Sequence, residues 1–534
     1  MLDSRRVPAI IAWSLLAAQI AVPWTVRQYV TQDGPSHVYG ATVVRGLLLH
    51  HGSSIYSNLY TIQHVLAVPN WTSTVVLAVA GALVGTAHAE ALFASFALLV
   101  GFLAWGYALS AIDHNPSPWM PVANLLLQTW FLWVGFYNFY LGMVLLPVVI
   151  GMYIRSAGSL TWRRAVPISV GLVALFYTHL VPAVLAVMVL MMLAFWMHFL
   201  VPLASGFGSI RRTIRELGVV LVATAPVILL IVLFVHAPVE PVQFDPQIEL
   251  AWNSFPMHVF LSPGERFNDQ IWLVWPVLLY IAAGILLMRK KEWLSPRGGL
   301  AVSAALAFLI YLLVPNSGLG GEAVKMRFAW GVFLIGSLAA GSVSRLRIMR
   351  IPASIYVAVF LVANIAGSAK AARAVSGAAE DYRSAANQIA PKSSLVRIKY
   401  AAPSVSGRYG YDGIGFDPLF HLDALVAASR NCLDLSDYEA LAKIFPIIFK
   451  PKVDRGQQYG LWGFEGADGG ATDTLAWLRG NFNVPIDYVL VVGEEDSREA
   501  ARMGMPKMQK YLEANMQLVG TSPNRFLRVY RRNQ

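Results

Sequence analysis

A bilayer is crossed by about 20 consecutive apolar residues, and this chain offers such runs repeatedly over its first 366 positions. They fall at 7–24, 71–85, 91–112, 120–134, 140–154, 166–177, 181–203, 218–235, 271–288, 300–314, 329–340 and 351–366. Backbone in hydrocarbon must satisfy its own hydrogen bonds, so runs of this kind become helices packed on one another. Only 13% of the residues are charged, against roughly 25% in soluble domains. The expected fold is mainly α: a polytopic transmembrane helical bundle of about 11–13 spans, closed by a small C-terminal α/β domain.

Charge sets the expected orientation. Arg5 and Arg6 precede the first run and keep the N-terminus in the cytoplasm. Basic clusters at Arg155, Arg163 and Arg164, at Arg211, Arg212 and Arg215, at Arg289, Lys290 and Lys291, and at Arg345, Arg347 and Arg350 mark cytoplasmic loops. Segments 236–270 and 315–327 then face outward. The net charge of +11 follows these loops, so it calls for membrane lipid and not for nucleic acid. The first run reads as a retained span, since no small-residue cleavage pattern follows it. Twelve simple crossings would return the chain to the inside, whereas the cluster at 345–350 puts everything after 366 outside. One early run between 71 and 154 must therefore be kinked, re-entrant or not a crossing.

Beyond 366 the composition turns polar. Residues 395–400 alternate like a strand, 486–492 read as a buried strand and 525–530 as a final one; 473–479 and 498–515 read as helices. The expected domains are 1–368, membrane-embedded with an outer loop at 25–70, and 369–534, a soluble α/β domain outside the cytoplasm. Cys432 is the only cysteine, so no intramolecular disulfide forms.

The outer loop begins with the first candidate, Asp33 followed by Gly34-Pro35. Glycine and proline force a turn there. Aspartate before a helical run is a common N-cap; a carboxylate on a turn beside a membrane can also take a proton from a lipid-borne substrate. His37 shares its helix face if the helix begins by Gly34. From Ser36 to His50 the pattern is helical, with Ala41, Val43, Val44, Leu47 and Leu48 on one face. Such a helix lies along the membrane or packs on protein. Lys325 and Arg327 stand before a late run on the outer side. There they run against the positive-inside trend, and arginine's planar fork suits phosphate, although a cation at this depth can also reach lipid headgroups. His179, between two apolar runs, is a structural histidine or a cavity residue. Tyr137 and Asn138 belong to an interfacial aromatic belt or to a substrate-lining turn. Asp113-His114 and Glu322 are further polar sites at loop positions. There is no Walker loop, HExxH or CxxC, and Gly463–Gly470 lacks phosphate-loop spacing.

Together these features resemble the GT-C superfamily of integral-membrane glycosyltransferases, which includes protein O-mannosyltransferases and lipid A aminoarabinose transferases. Asp33-Gly34-Pro35-Ser36-His37-Val38-Tyr39-Gly40 looks like the acidic start of the first outer loop in that group, and Arg327-Phe328 like the Arg-Tyr before a late span. The chain departs at Gly34, where many members carry a second acid; with no acidic pair, the cofactor is left open, a divalent cation included. The resemblance implies inverting transfer of a sugar from a polyprenyl-phosphate donor to a lipid, glycan or protein acceptor, at the outer face of a bacterial inner membrane. Asp33 would be the general base. Arg327, with Lys325, would hold the leaving phosphate, and His37, His179, Tyr137 and Asn138 would contact substrate. A transporter or lipid flippase, and a non-catalytic subunit of envelope polysaccharide assembly, are the alternatives from other classes.

Overall fold

The structure is a computed structural model. It describes residues 6–533 apart from 51–52, 114–118, 158–159, 206–209, 237–266, 319–320, 322, 342–349, 400–418, 452–474, 476–479, 481, 494–504 and 524. His114, Glu322, the glycine-rich stretch 463–470 and, but for the buried Leu475, the segment 473–479 lie outside the described residues. The chain forms two compact units.

The first unit contains Met1–Ala21, Ser95–Leu132 and Tyr137–Gly367. Its helices include α1 (Arg6–Ala21), the greater part of α4 (Ala89–Ile112), α5 (Met120–Leu127), the start of α6 (Trp130–Val134), α7 (Tyr137–Ser156), α8 (Trp162–Thr178), α9 (Leu180–Phe195), α10 (Ile210–Val235), α11 (Phe267–Leu286), α12 (Pro296–Leu313), α13 (Val324–Ala340) and the first half of α14 (Arg350–Ala386). Seven helices among the described residues are long and apolar enough to cross a membrane. α7 packs on α8 and α9, α12 on α13, and α1 on α5. Leu229, Val232 and Leu233 of α10 and Leu309 and Leu313 of α12 are exposed, as side chains facing lipid should be. The protein is a multi-pass membrane protein.

The run 120–134 is not one helix. It breaks at Gln128-Thr129 into α5 and α6. The broken end leaves carbonyls without helical partners, and two aromatic side chains supply them: Trp330 Nε1–H donates to the Leu126 carbonyl at 3.0 Å and Tyr140 Oη–H to that of Leu127 at 2.8 Å. Interrupted helices are tolerated in membranes where protein satisfies the freed backbone in this way. The run 71–85 is likewise short, giving a 13-residue helix, α3 (Thr72–Val84), about 20 Å long at 1.5 Å per residue.

The second unit contains Val22–Ala94, Trp133–Phe136 and Ser368–Gln534. The early loop and the C-terminal segment thus fold as one body. β1 (Tyr60–Ile62) pairs antiparallel with β4 (Ile447–Phe449). A five-stranded sheet is built from β2 (Ser394–Lys399), β3 (Leu433–Asp434), β5 (Tyr488–Val492), β6 (Met516–Thr521) and β7 (Leu527–Arg532), in the order β3-β2-β5-β7-β6. β2 is parallel to β3 and β5; β7 is antiparallel to β5 and β6. All five side chains of β5 are buried, which explains its unbroken apolar run. α15 (Leu422–Arg430), α16 (Tyr438–Ala442) and α17 (Met505–Asn515) complete the unit.

α2 (Gly34–His50) is buried from Gly34 through Val44 and packs on α3, α15 and α16. Protein, not lipid, covers most of it; only its end is open, at Leu48 and Leu49. Tyr39 anchors it to β3, donating to the Cys432 carbonyl at 3.1 Å and accepting the Asp434 N–H at 2.8 Å.

Candidate active site

In the second unit the turn before α2 is fixed by backbone. The N–H groups of Gln32 and Asp33 donate to the carbonyls of Trp133 and Val134 at 3.2 and 2.9 Å. Gly135 has φ +84°, and a Cβ there would lie 2.7 Å from the Gly34 nitrogen; the left-handed conformation and the close approach both require glycine. Asp33 stands at the cap position, its carbonyl accepting the His37 N–H at 3.2 Å. Its carboxylate receives Gln32 Nε2–H at 3.2 Å and lies 3.8 Å from His421 Nε2, with 13% of the side chain open.

Gly34, the departure from the resembling pattern, has a steric cause. A Cβ at this position would sit 1.4 Å from Glu90 Oε1. The buried Glu90 carboxylate, from the first turn of α4, fills the space a second acidic side chain would need and takes the Thr31 hydroxyl at 3.4 Å.

His37 faces inward. Its Nδ1 forms an ion pair with the buried Glu439 carboxylate. Burial alone would push the imidazole down; Glu439, with Asp33 and the Gly135 carbonyl, outweighs this and raises it above the usual histidine range. Gly40 leaves the room for Glu439, since a Cβ there would meet its Oε2 at 2.4 Å.

His421 has the opposite character. Burial, then Arg397, Lys399 and His37, hold it well below the ordinary value. Its ring stacks on Tyr438 at 4.7 Å and meets Phe420 edge-on at 4.5 Å.

In the first unit Arg327 lies in the first turn of α13. Ala323 before it adopts the left-handed conformation at φ +54°, a strain of about 1–2 kcal/mol for a residue with a Cβ. Arg327 Nη1 is 2.6 Å from His179 Nε2, and its guanidinium lies over the Phe139 ring at 5.2 Å. His179 caps α9, its Nδ1 accepting the Val181 N–H at 3.1 Å. A neutral imidazole has a single acceptor nitrogen, so it serves only one of these two donors at a time. Lys325 is buried, and its Nζ donates to the carbonyls of Tyr311 and Leu312 at 3.3 and 3.1 Å, where it closes the C-terminus of α12. Tyr137 and Asn138 are buried in the first turn of α7, the helix that carries Phe139.

Of the residues singled out in the sequence, Asp33 and His37 come together in one unit, and Arg327 and His179 in the other. Glu90, Glu439 and His421 escaped the sequence. Glu90 opens an apolar run, a weak signal; nothing local distinguishes the other two. Among the described residues no three His, Cys, Asp or Glu side chains converge as a metal site.

Fold and site define an integral membrane protein whose helical bundle is joined to an α/β unit with a buried acid–histidine cluster. No protein-family model and no curated protein matches its sequence. Among solved structures it is similar to ArnT from Cupriavidus metallidurans, a crystal structure bound to undecaprenyl phosphate. The TM-score is 0.49 at 12% identity, over 99% of this chain and 98% of that one.

Proposed function

We propose that this protein is an inverting membrane glycosyltransferase that moves a sugar from a polyprenyl-phosphate donor to an acceptor hydroxyl on a lipid, glycan or protein. The reading places the reaction outside the cytoplasm, at the inner membrane of a bacterium, with the N-terminus inside and the 369–534 domain outside. The observation that carries it is the Asp33 turn: a partly open carboxylate whose backbone is fixed at Trp133 and Val134. The likeness of residues 33–40 and 327–328 to GT-C motifs supports it.

The resemblance implies a role for each of these residues. Asp33 removes the acceptor proton. The acceptor oxygen bonds to the anomeric carbon as the bond to the phosphate oxygen breaks, through an oxocarbenium-like state. Arg327 stabilises the phosphate charge that develops, with the Lys325 ammonium adding to the local positive field. An anion beside Arg327 would take its N–H and let His179 turn wholly to Val181, presenting Nε2–H as a second donor. His37 holds the Asp33 turn through Glu439, and Tyr137 and Asn138 are assigned to substrate contact.

The test is transfer by purified protein in nanodiscs from a panel of radiolabelled polyprenyl-phosphate sugars, with membrane extract as acceptor source. Transfer by the wild type that falls by about 100-fold or more in folded Asp33→Asn is expected for loss of a general base. Equal transfer by both proteins would remove Asp33 from the role.

A further inference from the structure

We propose that His421 completes Asp33 as a relay pair, taking from its carboxyl the proton that Asp33 has lifted from the acceptor hydroxyl. The inference rests on Asp33 being the base, and it adds a positioning residue that acts through Asp33.

The geometry is confined to the second unit. His421 Nε2 lies 3.8 Å from Asp33 Oδ1, so an approach of somewhat under 1 Å makes a hydrogen bond of ordinary length. The ring cannot swing away freely, because the Tyr438 face and the Phe420 edge hold it on two sides. Its own carbonyl accepts the Ala424 N–H at 3.1 Å, which ties the residue to the start of α15.

The groups around the ring decide which way a proton moves. Asp33 faces it from the turn before α2 and His37 from α2 itself, while Tyr438 covers it from α16. On β2, Lys399 and Arg397 lie over the Phe420 ring at 4.2 and 4.9 Å, and Arg397 is also paired with the buried Asp423 at 3.1 Å. Two cations and a low-dielectric setting disfavour an imidazolium. His421 therefore rests neutral with a lone pair to offer, and once charged it releases its proton readily. His37 cannot serve in its place, since its ring is committed to Glu439 and the Gly135 carbonyl.

The proton count closes. Asp33 carboxylate, acceptor hydroxyl and polyprenyl-phosphate sugar give Asp33 carboxylic acid, the glycoside and polyprenyl phosphate, as the new C–O bond forms and the anomeric C–O bond to phosphate breaks. Asp33 carboxylic acid and neutral His421 then give carboxylate and imidazolium, and the imidazolium returns its proton to water. Asp33 is reset for the next turnover.

The experiment has two readings. In histidine-labelled protein in nanodiscs, the His421 Cε1 NMR signal, assigned through His421→Gln, is titrated in wild type and in Asp33→Asn. Removing the Asp33 charge should lower the His421 proton affinity by about tenfold, as expected for a carboxylate at this range; an unchanged titration would overturn the pairing. In the transfer assay with radiolabelled polyprenyl-phosphate sugars, His421→Gln and His421→Ala should lose about tenfold or more in kcat with donor KM unchanged. Added imidazole should restore His421→Ala, a recovery that a packing role would not give. Full activity in both variants, or loss without imidazole recovery, would overturn the relay. If instead Asp33→Asn transfers normally, the base assignment fails and takes the relay with it, while the titration still reports whether the two groups are coupled.

Discussion

At the residue scale a few charged side chains are set apart by their partners. Arg327 meets His179 at 2.6 Å and lies over Phe139, a planar setting that suits guanidinium and not ammonium. Arg327→Lys keeps the charge and loses the fork, so donor KM should rise about tenfold with a smaller change in kcat, read in the transfer assay. His37 and His421 make opposite predictions for pH. The folded-state value of His37 is raised by Glu439, so its contribution is fully present below about pH 6.5 and is lost as pH rises through the raised value. That of His421 is depressed, so its contribution is present above about pH 6.5 and fades as pH falls through the depressed value. Thermal melts in detergent should show His37→Gln flattening the alkaline side and His421→Gln the acid side. His37→Gln should also lower stability by roughly 3–5 kcal/mol, because it strands the buried Glu439 charge. Asp33, His37, His179 and Arg327 were legible in the sequence because each is polar at the edge of an apolar run. Glu439 and His421 were not, since only the tertiary fold brings them to α2 from the far end of the chain.

At the element scale, glycines make the close approaches. Gly135→Ala would force a Cβ into the left-handed region and within 2.7 Å of the Gly34 nitrogen, so the backbone pairing at Asp33 should open. We expect loss of transfer and faster hydrogen exchange at Gln32 and Asp33. Gly40→Ala would press on Glu439 Oε2 and should destabilise by about 1–3 kcal/mol, with Glu439→Asp at the same time recovering part of it. The helices were readable because apolar runs of sufficient length have one outcome in lipid. The interruption of 120–134 was foreseeable only as a parity mismatch in the topology. Its position at Gln128-Thr129 depends on Trp330 and Tyr140, which donate from other helices to the Leu126 and Leu127 carbonyls. The covering of α2 by α15 and α16 was also hidden, because its periodicity fits lipid and protein equally.

At the scale of the whole molecule, the chain leaves and re-enters each unit. The second unit gathers three separate segments, and the strand pair β1–β4 joins two of them. A truncation after Gly367 would remove the partners of α2 and β1, so the segment 25–90 should become protease-sensitive in membranes. Cys432, the sole thiol, is buried and its carbonyl holds Tyr39; it should resist a maleimide in the intact protein and react once this unit opens, which gives a direct readout of that unfolding.

The central claim is that Asp33 acts on the acceptor proton and not on donor affinity. The most direct test is kcat and donor KM for Asp33→Asn, with protein shown to be folded by Cys432 protection. The account predicts a kcat lower by about 100-fold or more with donor KM within about twofold of wild type. An unchanged kcat, or a loss confined to donor KM, would contradict it.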